Sequence, residues 1–553
     1  MALPILLYAP LILILSGFIH LAIRSKRRSL KFLRGPPNPS ILFGHDYDLR
    51  NQLEVGGLEF KWFKQYGTAV RTTTSYNEDM LLISDPRALQ HIFHKSMYKY
   101  KKSAESEQAS YKLFGPGVAT VHGFAHQRQR KILNPAFSAT QIKPLVPVFQ
   151  KIINSLSIKW KEHLQSGSEV IDTTKWFPDM ALDALGESMI DLQLFAILNL
   201  ILVNLLGVFE YDFGALESHD NELADMVRNL FVDSTRPSPP RYLYYAFRRD
   251  LPSSIRRLAE WFPTKQDIRW KKWLNASQGE AKKLYERKMQ GETSQENDLL
   301  GVISRAFHET TFEKHLSGEE ALSQMATIIL AGHETSGNTL TWLFYELARH
   351  PADQERLLDE IKHAKKQNGG QYFTANDFES MPFLNAVIKE TLRLHPIINN
   401  LIRESEVDDV IPLAYPVVSS SGEMLGAIPV VKGQRIMSSI IGYNYLKEVW
   451  GDDADDWNPE RHLDAKRQTT LGVFGNLMTF GAGVRSCIGW RFAVHEIQTV
   501  TAELLQSFQF SIPKDMDILM VQAGFTQPMI KGELHKGIRM PLHVKLRDYE
   551  FEV

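Results

Sequence analysis

Phe480-Gly481-Ala482-Gly483-Val484-Arg485-Ser486-Cys487-Ile488-Gly489 is a glycine-rich loop running into a helical pattern from Trp490 onward, and it holds the only cysteine among 553 residues. An isolated cysteine is usually an inert small hydrophobe. These surroundings point elsewhere: glycines let the backbone fold tightly around the sulfur, amides at a helix start favour a thiolate, and Arg485 adds positive charge nearby. A thiolate held this way serves as a nucleophile, given a nearby histidine base, or as a metal ligand. The loop alone leaves both open. A single cysteine does exclude an intramolecular disulfide, a cysteine-rich zinc site and an iron–sulfur cluster.

Outward from the loop, charge and composition narrow the class. The chain carries 63 Lys+Arg against 64 Asp+Glu, a formal net charge of -1, which argues against a nucleic-acid partner because such binding draws on concentrated basic charge. With 44% hydrophobic and 23% charged residues it is a folded globular chain. No repeat, low-complexity linker or like-charge block marks a domain boundary. Helical periodicity dominates after about residue 140, and short β-like runs fall at Ala69 to Arg71, Met80 to Ile83 and Val410 to Pro416. The expectation is one large body over residues 35–553, mainly α with a minor β component.

The strongest helix is delimited by its punctuation. Ser317-Gly318-Glu319-Glu320 has the form of a capping box and Pro351 stops the pattern; about thirty residues at 1.5 Å rise span roughly 50 Å. Its middle, Met325 to Ala331, is apolar apart from Thr327 and runs straight into His333, Glu334, Thr335 and Ser336. Polar groups at such depth need partners or a job. A structural reading has Thr335 and Ser336 bonding back to the preceding turn and Glu334 finding a basic partner. A zinc-protease reading fails, since Gly337 stands where the second histidine is required.

At the N-terminus, Leu3 to Ile23 is almost entirely apolar and long enough to span a bilayer. Arg24, Lys26, Arg27, Arg28, Lys31 and Arg34 follow, which keeps the C-terminal flank in the cytosol. Residues 1–34 therefore read as a membrane anchor with its basic flank rather than a cleaved signal peptide. Arg241 to Phe247, strongly aromatic, reads either as a loop at the membrane surface or as packed core.

Phe480, Gly483, Arg485, Cys487 and Gly489 match F-x-x-G-x-R-x-C-x-G position by position, and in this the chain resembles the cytochrome P450 family, of the eukaryotic microsomal, fungal type. Ala331-Gly332-His333-Glu334-Thr335-Ser336 is similar to the family's oxygen-binding stretch, Glu390-Thr391-Leu392-Arg393 to its E-x-x-R, and Pro459-Glu460-Arg461 to its P-E-R. An E-x-x-R alone is an ordinary helical ion pair. Its weight here comes from the order of the motifs over nearly the whole chain.

The resemblance implies a cytochrome P450 fold preceded by one transmembrane helix, with haem iron held by the Cys487 thiolate. Thr335 and Glu334 would be the catalytic pair guiding protons to dioxygen, and Gly332 would let the helix open locally. Arg130 and His126, on the stretch Gly123 to Phe137, would contact haem together with Phe480, Arg485, Gly489 and Arg403; His126 stands where many members have Trp. Glu390, Arg393 and Arg461 would form a structural cluster. The implied reaction inserts one oxygen atom from O2 into a lipophilic small molecule, a terpenoid, polyketide or xenobiotic, in secondary metabolism. Electrons would come from NADPH through a separate NADPH–cytochrome P450 reductase, because Gly115-Pro116-Gly117 and Gly481-Ala482-Gly483 both lack the third glycine of a dinucleotide fingerprint. A reductase-independent isomerase or peroxygenase is the alternative, and Thr335 with Glu334 weighs against it. The implied location is the endoplasmic reticulum membrane, single-pass, with the catalytic domain cytosolic and in contact with membrane lipid. The substrate pocket would draw on Ser103 to Thr120, Ile328, Ile397 to Leu401 and Gly524 to Pro528. Met189 to Phe209 is apolar enough for a second span, but that would put Arg130 and Cys487 on opposite sides of the bilayer although both must touch one haem. Met189 to Gly207 is therefore expected to be an insertion on the membrane surface or a retained intron.

Overall fold

In the computed structural model the Ser317 hydroxyl accepts from the Glu320 amide and the Glu320 carboxylate accepts from the Ser317 amide, closing the expected capping box. The structure describes residues 26–96, 98–190, 215–216, 226, 230–231, 236–250, 263–289, 299–311, 313–463, 471–514 and 516–547. The expected anchor Leu3 to Ile23, and residues 191–207 of the expected insertion, lie outside them. Among the described residues no helix is long and apolar enough to cross a membrane.

The helices that position the site are α1 (Ala104–Phe114), α2 (Gly123–Leu133), α3 (Val146–Gln165), α4 (Thr173–Ile190), α5 (Pro239–Asp250), α6 (Gly318–Arg349), α7 (Pro382–Leu394) and α8 (Trp490–Ser507). Helix α6 has 32 residues, about 48 Å at the standard rise, and everything from Ser336 to Ala348 is buried. It ends where Pro351 forces His350 out of the helical region. The α6 backbone is α-helical throughout, Gly332 included, so the local opening expected there is not present. The glycine has a packing reason instead: a Cβ at residue 332 would come within 2.9 Å of Leu185 on α4. Arg241 to Phe247, expected as a loop or core segment, belongs to helix α5, with Tyr242 buried and Phe247 exposed.

The strands number β1 (Ala69–Thr74), β2 (Glu78–Ile83), β3 (Tyr100–Lys102), β4 (Val170–Asp172), β5 (Asn400–Ser405), β6 (Asp409–Val418), β7 (Met424–Val430), β8 (Arg435–Ser439), β9 (Phe508–Ser511), β10 (Ile518–Ala523), β11 (Phe525–Ile530) and β12 (Pro541–Leu546). All three β-like runs of the sequence fall in strands, β1, β2 and β6. The largest sheet has the order β1-β2-β8-β5-β3, parallel at β2–β8 and antiparallel elsewhere. Among the described residues helix accounts for 55% and strand for 16%, which gives the mainly α class. The sheet matters for the site because it pairs β3, from the N-terminal third of the chain, with β5, which follows α7.

Candidate active site

The loop around the cysteine is closed by its own backbone. The Cys487 amide donates to the Phe480 carbonyl at 2.7 Å, and Gly483, at φ 67, passes so close to Phe93 that a Cβ would lie 1.8 Å from its carbonyl oxygen. Only glycine fits there. Phe480 packs edge-on against Phe474, and the Gly489 amide reaches the sulfur. The Cys487 side chain is accessible, yet protein surrounds it closely enough that burial pushes its thiol up, with Gly489 N–H and Arg130 only partly opposing this. The two observations agree if the sulfur faces enclosed interior space. A raised thiol is a poor nucleophile at neutral pH and a good ligand once a metal takes the proton's place.

The expectation that Arg485 polarises the sulfur needs correction. Its guanidinium donates to the Val121 carbonyl and to His122 Nδ1; the cation acting on the thiol is Arg130, whose Nη1 donates to Ser486 O at 2.7 Å.

On α6, Ala331 is exposed and Thr335 half-buried within a stretch otherwise almost wholly buried. They share a face, four residues apart. The Thr335 hydroxyl donates back to the Ala331 carbonyl at 2.6 Å, as the structural reading expected. Glu334 is turned to the next face: its Oε2 accepts from Asn338 Nδ2 at 3.1 Å, His333 Nε2 lies 3.8 Å from Oε1, and the residue lines a cavity of about 420 Å³ with Lys175, Pro178 and His535.

Four cations converge beside the cysteine loop. In the β3–β5 register Lys102 lies directly opposite Arg403, an arrangement that like charges disfavour. Arg403 is 6% exposed; its Nη1 donates to Ile402 O and its guanidinium lies over the Phe93 ring. Lys102 Nζ donates to Ser110 Oγ and the Ala119 carbonyl. Burial and the facing Arg403 and Arg485 bring its ammonium down to about 7, and burial with Arg485 brings Arg403 down to about 10. His122 and His126 are pushed down to about 4 and about 3 by burial and the same cations, so both are neutral. His126 is buried, its Nδ1 3.3 Å from the Tyr98 hydroxyl. Glu107 is the carboxylate nearest this group, and among the described residues it makes no ion pair with Lys102, Arg130, Arg403 or Arg485. Such a cluster is costly by itself and suits a partner bearing two carboxylates. Lys102 was missed in the sequence because its role depends on a strand register.

The structure brings Glu390, Arg393 and Arg461 together and adds a further partner. Arg393 holds the Glu390 carboxylate with both Nε (2.8 Å) and Nη2 (2.9 Å), and Arg461 Nε reaches it at 2.9 Å. His462 Nε2, unforeseen although it directly follows Pro459-Glu460-Arg461, is a further partner at 2.9 Å. Burial raises the Glu390 carboxyl, but the bonds from Arg393 and His462 outweigh it and hold the group well below the usual range. The spare donors of both arginines end on carbonyls of Asn444, Trp450, Asp453, Ala454 and Asp456.

Of the expected pocket segments, Ser103 to Thr120 touches α6, and Gly524 to Pro528 touches Ile397. Gly117 abuts Thr327 and Ser323 of α6, Val118 N donates to Gln324 Oε1 at 2.9 Å, and Thr526 N donates to Ile397 O at 2.9 Å.

A family model described as Cytochrome P450 matches residues 34–535. The chain is 30% identical over 533 residues to cytochrome P450 monooxygenase 128 of Postia placenta, covering 93% of this chain and 92% of that one. It is 29% identical to monooxygenase 81 of the same fungus, covering 94% of each, and 29% identical to monooxygenase claQ of Ampulloclitocybe clavipes, covering 93% and 92%.

Proposed function

The chain belongs to the cytochrome P450 family, and from that premise we propose a membrane-anchored monooxygenase acting on a lipophilic small molecule in secondary metabolism, with electrons from NADPH through a separate reductase. As a member it is an oxidoreductase, and its family binds haem through a cysteine thiolate. The single observation that carries the reading is the pairing of an accessible, desolvated Cys487 with a neighbouring cluster of cations that form no ion pair with a carboxylate among the described residues.

Cys487 would hold the iron, and Lys102, Arg130, Arg403 and Arg485, with neutral His126 as a single N–H donor, would receive the two propionates. Bound haem supplies the activation of O2 and the insertion of one oxygen atom into an unreactive bond. The chain's own groups do the rest. The Thr335 hydroxyl, held on the Ala331 carbonyl, has lone pairs free to accept a hydrogen bond. Glu334 borders a separate cavity and would pass protons from that side toward Thr335. Apolar groups such as Ile328 and Ile397 would keep the reacting end dry and give the substrate an oily surface. The missing dinucleotide fingerprint supports an external reductase, and the run Leu3 to Ile23 with its basic flank supports a single anchor in the endoplasmic reticulum membrane, leaving residues 35–553 as the cytosolic body.

The test is spectroscopic. Reduced protein with CO should show the absorption band that names the family, and Cys487→Ser should lose that band while keeping haem. Absence of the band in the wild type would sink the proposal; NADPH consumption that depends on added reductase supports the monooxygenase, whereas product formation with no NADPH and no reductase, alone or with peroxide, would favour the isomerase or peroxygenase reading.

A further inference from the structure

A second cavity, unrelated to the cysteine loop, lies where the chain enters the folded body. It measures about 460 Å³ and is lined by Lys31, Arg34, Tyr66, Arg71, Ser419 and Ser420, among others. Backbone bonds build it. Arg71 N donates to Arg34 O at 3.0 Å, Ser420 N donates to Phe32 O at 2.8 Å, and Leu33 bridges to Ser419. The entering segment is thereby stitched between β1 and the β6–β7 turn. Gly35 permits the contact, since a Cβ there would fall 1.9 Å from the Arg71 carbonyl oxygen.

The result is a concave wall with three positive charges. No carboxylate lines it, and among the described residues none forms an ion pair with Lys31, Arg34 or Arg71. The neighbouring Arg28 behaves differently, pairing with Glu78 at 2.8 Å. Arg34 is steadied over the Tyr66 ring at 5.7 Å. Arg71 Nε is shielded from solvent without an acceptor, a costly state for a donor on a charged group. Three cations, serine hydroxyls and no acid describe a seat for a multiply charged oxyanion, and a phosphomonoester, near -2 at neutral pH, matches it.

We propose that this cavity binds a phosphate group, presented by an anionic lipid headgroup. The choice of lipid rests on the anchor reading: seven residues lie between Ile23 and Lys31, so the eight steps of chain reach at most about 28 Å from the end of the apolar run. A headgroup held there ties the body to the bilayer at a point beyond the anchor and limits how the body can turn on the surface.

Full-length haem-loaded protein in neutral detergent is titrated with dihexanoyl phosphatidic acid, dihexanoyl phosphatidylcholine, inorganic phosphate or sulfate, reading Tm. Phosphatidic acid should raise Tm saturably while phosphatidylcholine does not, because ligand that binds only the native state stabilises it by mass action; a response to sulfate as strong as that to phosphatidic acid would overturn the lipid assignment. Arg71→Gln should raise the half-saturating concentration about tenfold or more, the value of one charge-assisted bond. Lys31→Gln, at an exposed position, should do so without risk to the fold. An equal response to inorganic phosphate keeps the site and makes free phosphate its ligand. No saturable response, or one that both variants leave unchanged, overturns the proposal. Because the assay is in detergent, it stands apart from the anchor reading, which fails instead if alkaline carbonate strips the protein from membranes.

Discussion

Two groups of buried charge flank the cysteine loop in this molecule, and they are built on opposite rules. Around Glu390 every charge is answered: one carboxylate accepts from Arg393, Arg461, His462 and the Asn458 amide, and the spare guanidinium donors end on carbonyls. Around Arg403 the charges lack an ion-pair partner among the described residues: Lys102 and Arg485 stand beside it, Arg130 lies near His126, Glu107 only partly offsets them, and the nearby histidines have been driven neutral. The first group is finished by the polypeptide and so holds shape. The second remains unfinished by the polypeptide, which is how a chain marks a place for an anionic cofactor.

The difference should show first as stability. Glu390→Gln leaves Arg393, fully buried, without its counter-charge, and breaking a buried pair by removing one partner costs about 3–5 kcal/mol. Against a total stability of roughly 5–15 kcal/mol, the variant should lose much of its yield and unfold at markedly lower denaturant. Chemical denaturation of the variant beside the wild type measures this; an unchanged midpoint would mean that the Glu390 group is not the finished structural cluster described here.

Arg403→Met should behave in the opposite way. It removes a charge with no acidic partner among the described residues, so the haem-depleted chain should be no less stable than the wild type. Haem affinity should fall by roughly tenfold to a hundredfold, the worth of one hydrogen bond to a charged group. Haem titration followed by absorbance reads the affinity, and denaturation of the haem-depleted chain reads the stability. A variant that lost stability and kept haem affinity would place Arg403 with the Glu390 group.

How much of this was legible in the sequence follows the same division. Glu390 and Arg393 are one helical turn apart and Arg461 sits in a short motif, so local spacing exposes them. The capping box of α6 and the three strands were legible for the same reason, since propensity and punctuation are local. Lys102 was not, because only the β3–β5 register sets it against Arg403. Sequence proximity singles out Arg485 as the positive charge near Cys487, but the loop turns Arg485 toward Val121, and the cation whose charge acts on the thiol is Arg130, from α2, held on the Ser486 carbonyl. The role of Gly332 was read as helix opening because the side chain it makes room for, Leu185, comes from another helix. Arg241 to Phe247 has no alternation or break that separates loop from helix, and its helical form in α5 is fixed by Tyr242 docking on Asp46 and Ser75.

The smallest effect separates the two groups most finely, because it depends on pH. In the haem-depleted chain Lys102 titrates near 7 against an ordinary 10.5, owing to burial and the facing Arg403 and Arg485, with Glu107 only partly opposing them. Below about pH 7 the lysine is protonated in both folded and unfolded chains, and the folded form bears the whole repulsion. Between pH 7 and 10.5 the unfolded chain still holds the proton while the folded chain has released it, so this lysine makes stability rise with pH across that window. Lys102→Gln should abolish its share of the slope and stabilise the haem-depleted protein at pH 6.5, while weakening haem binding through loss of a charged donor. Haem binding itself should suppress the slope in the wild type, since a propionate beside the ammonium restores its proton affinity. Thermal unfolding at closely spaced pH values, with and without haem, tests all of this; a Lys102→Gln protein with the wild-type slope and wild-type haem affinity would remove Lys102 from the unfinished cluster.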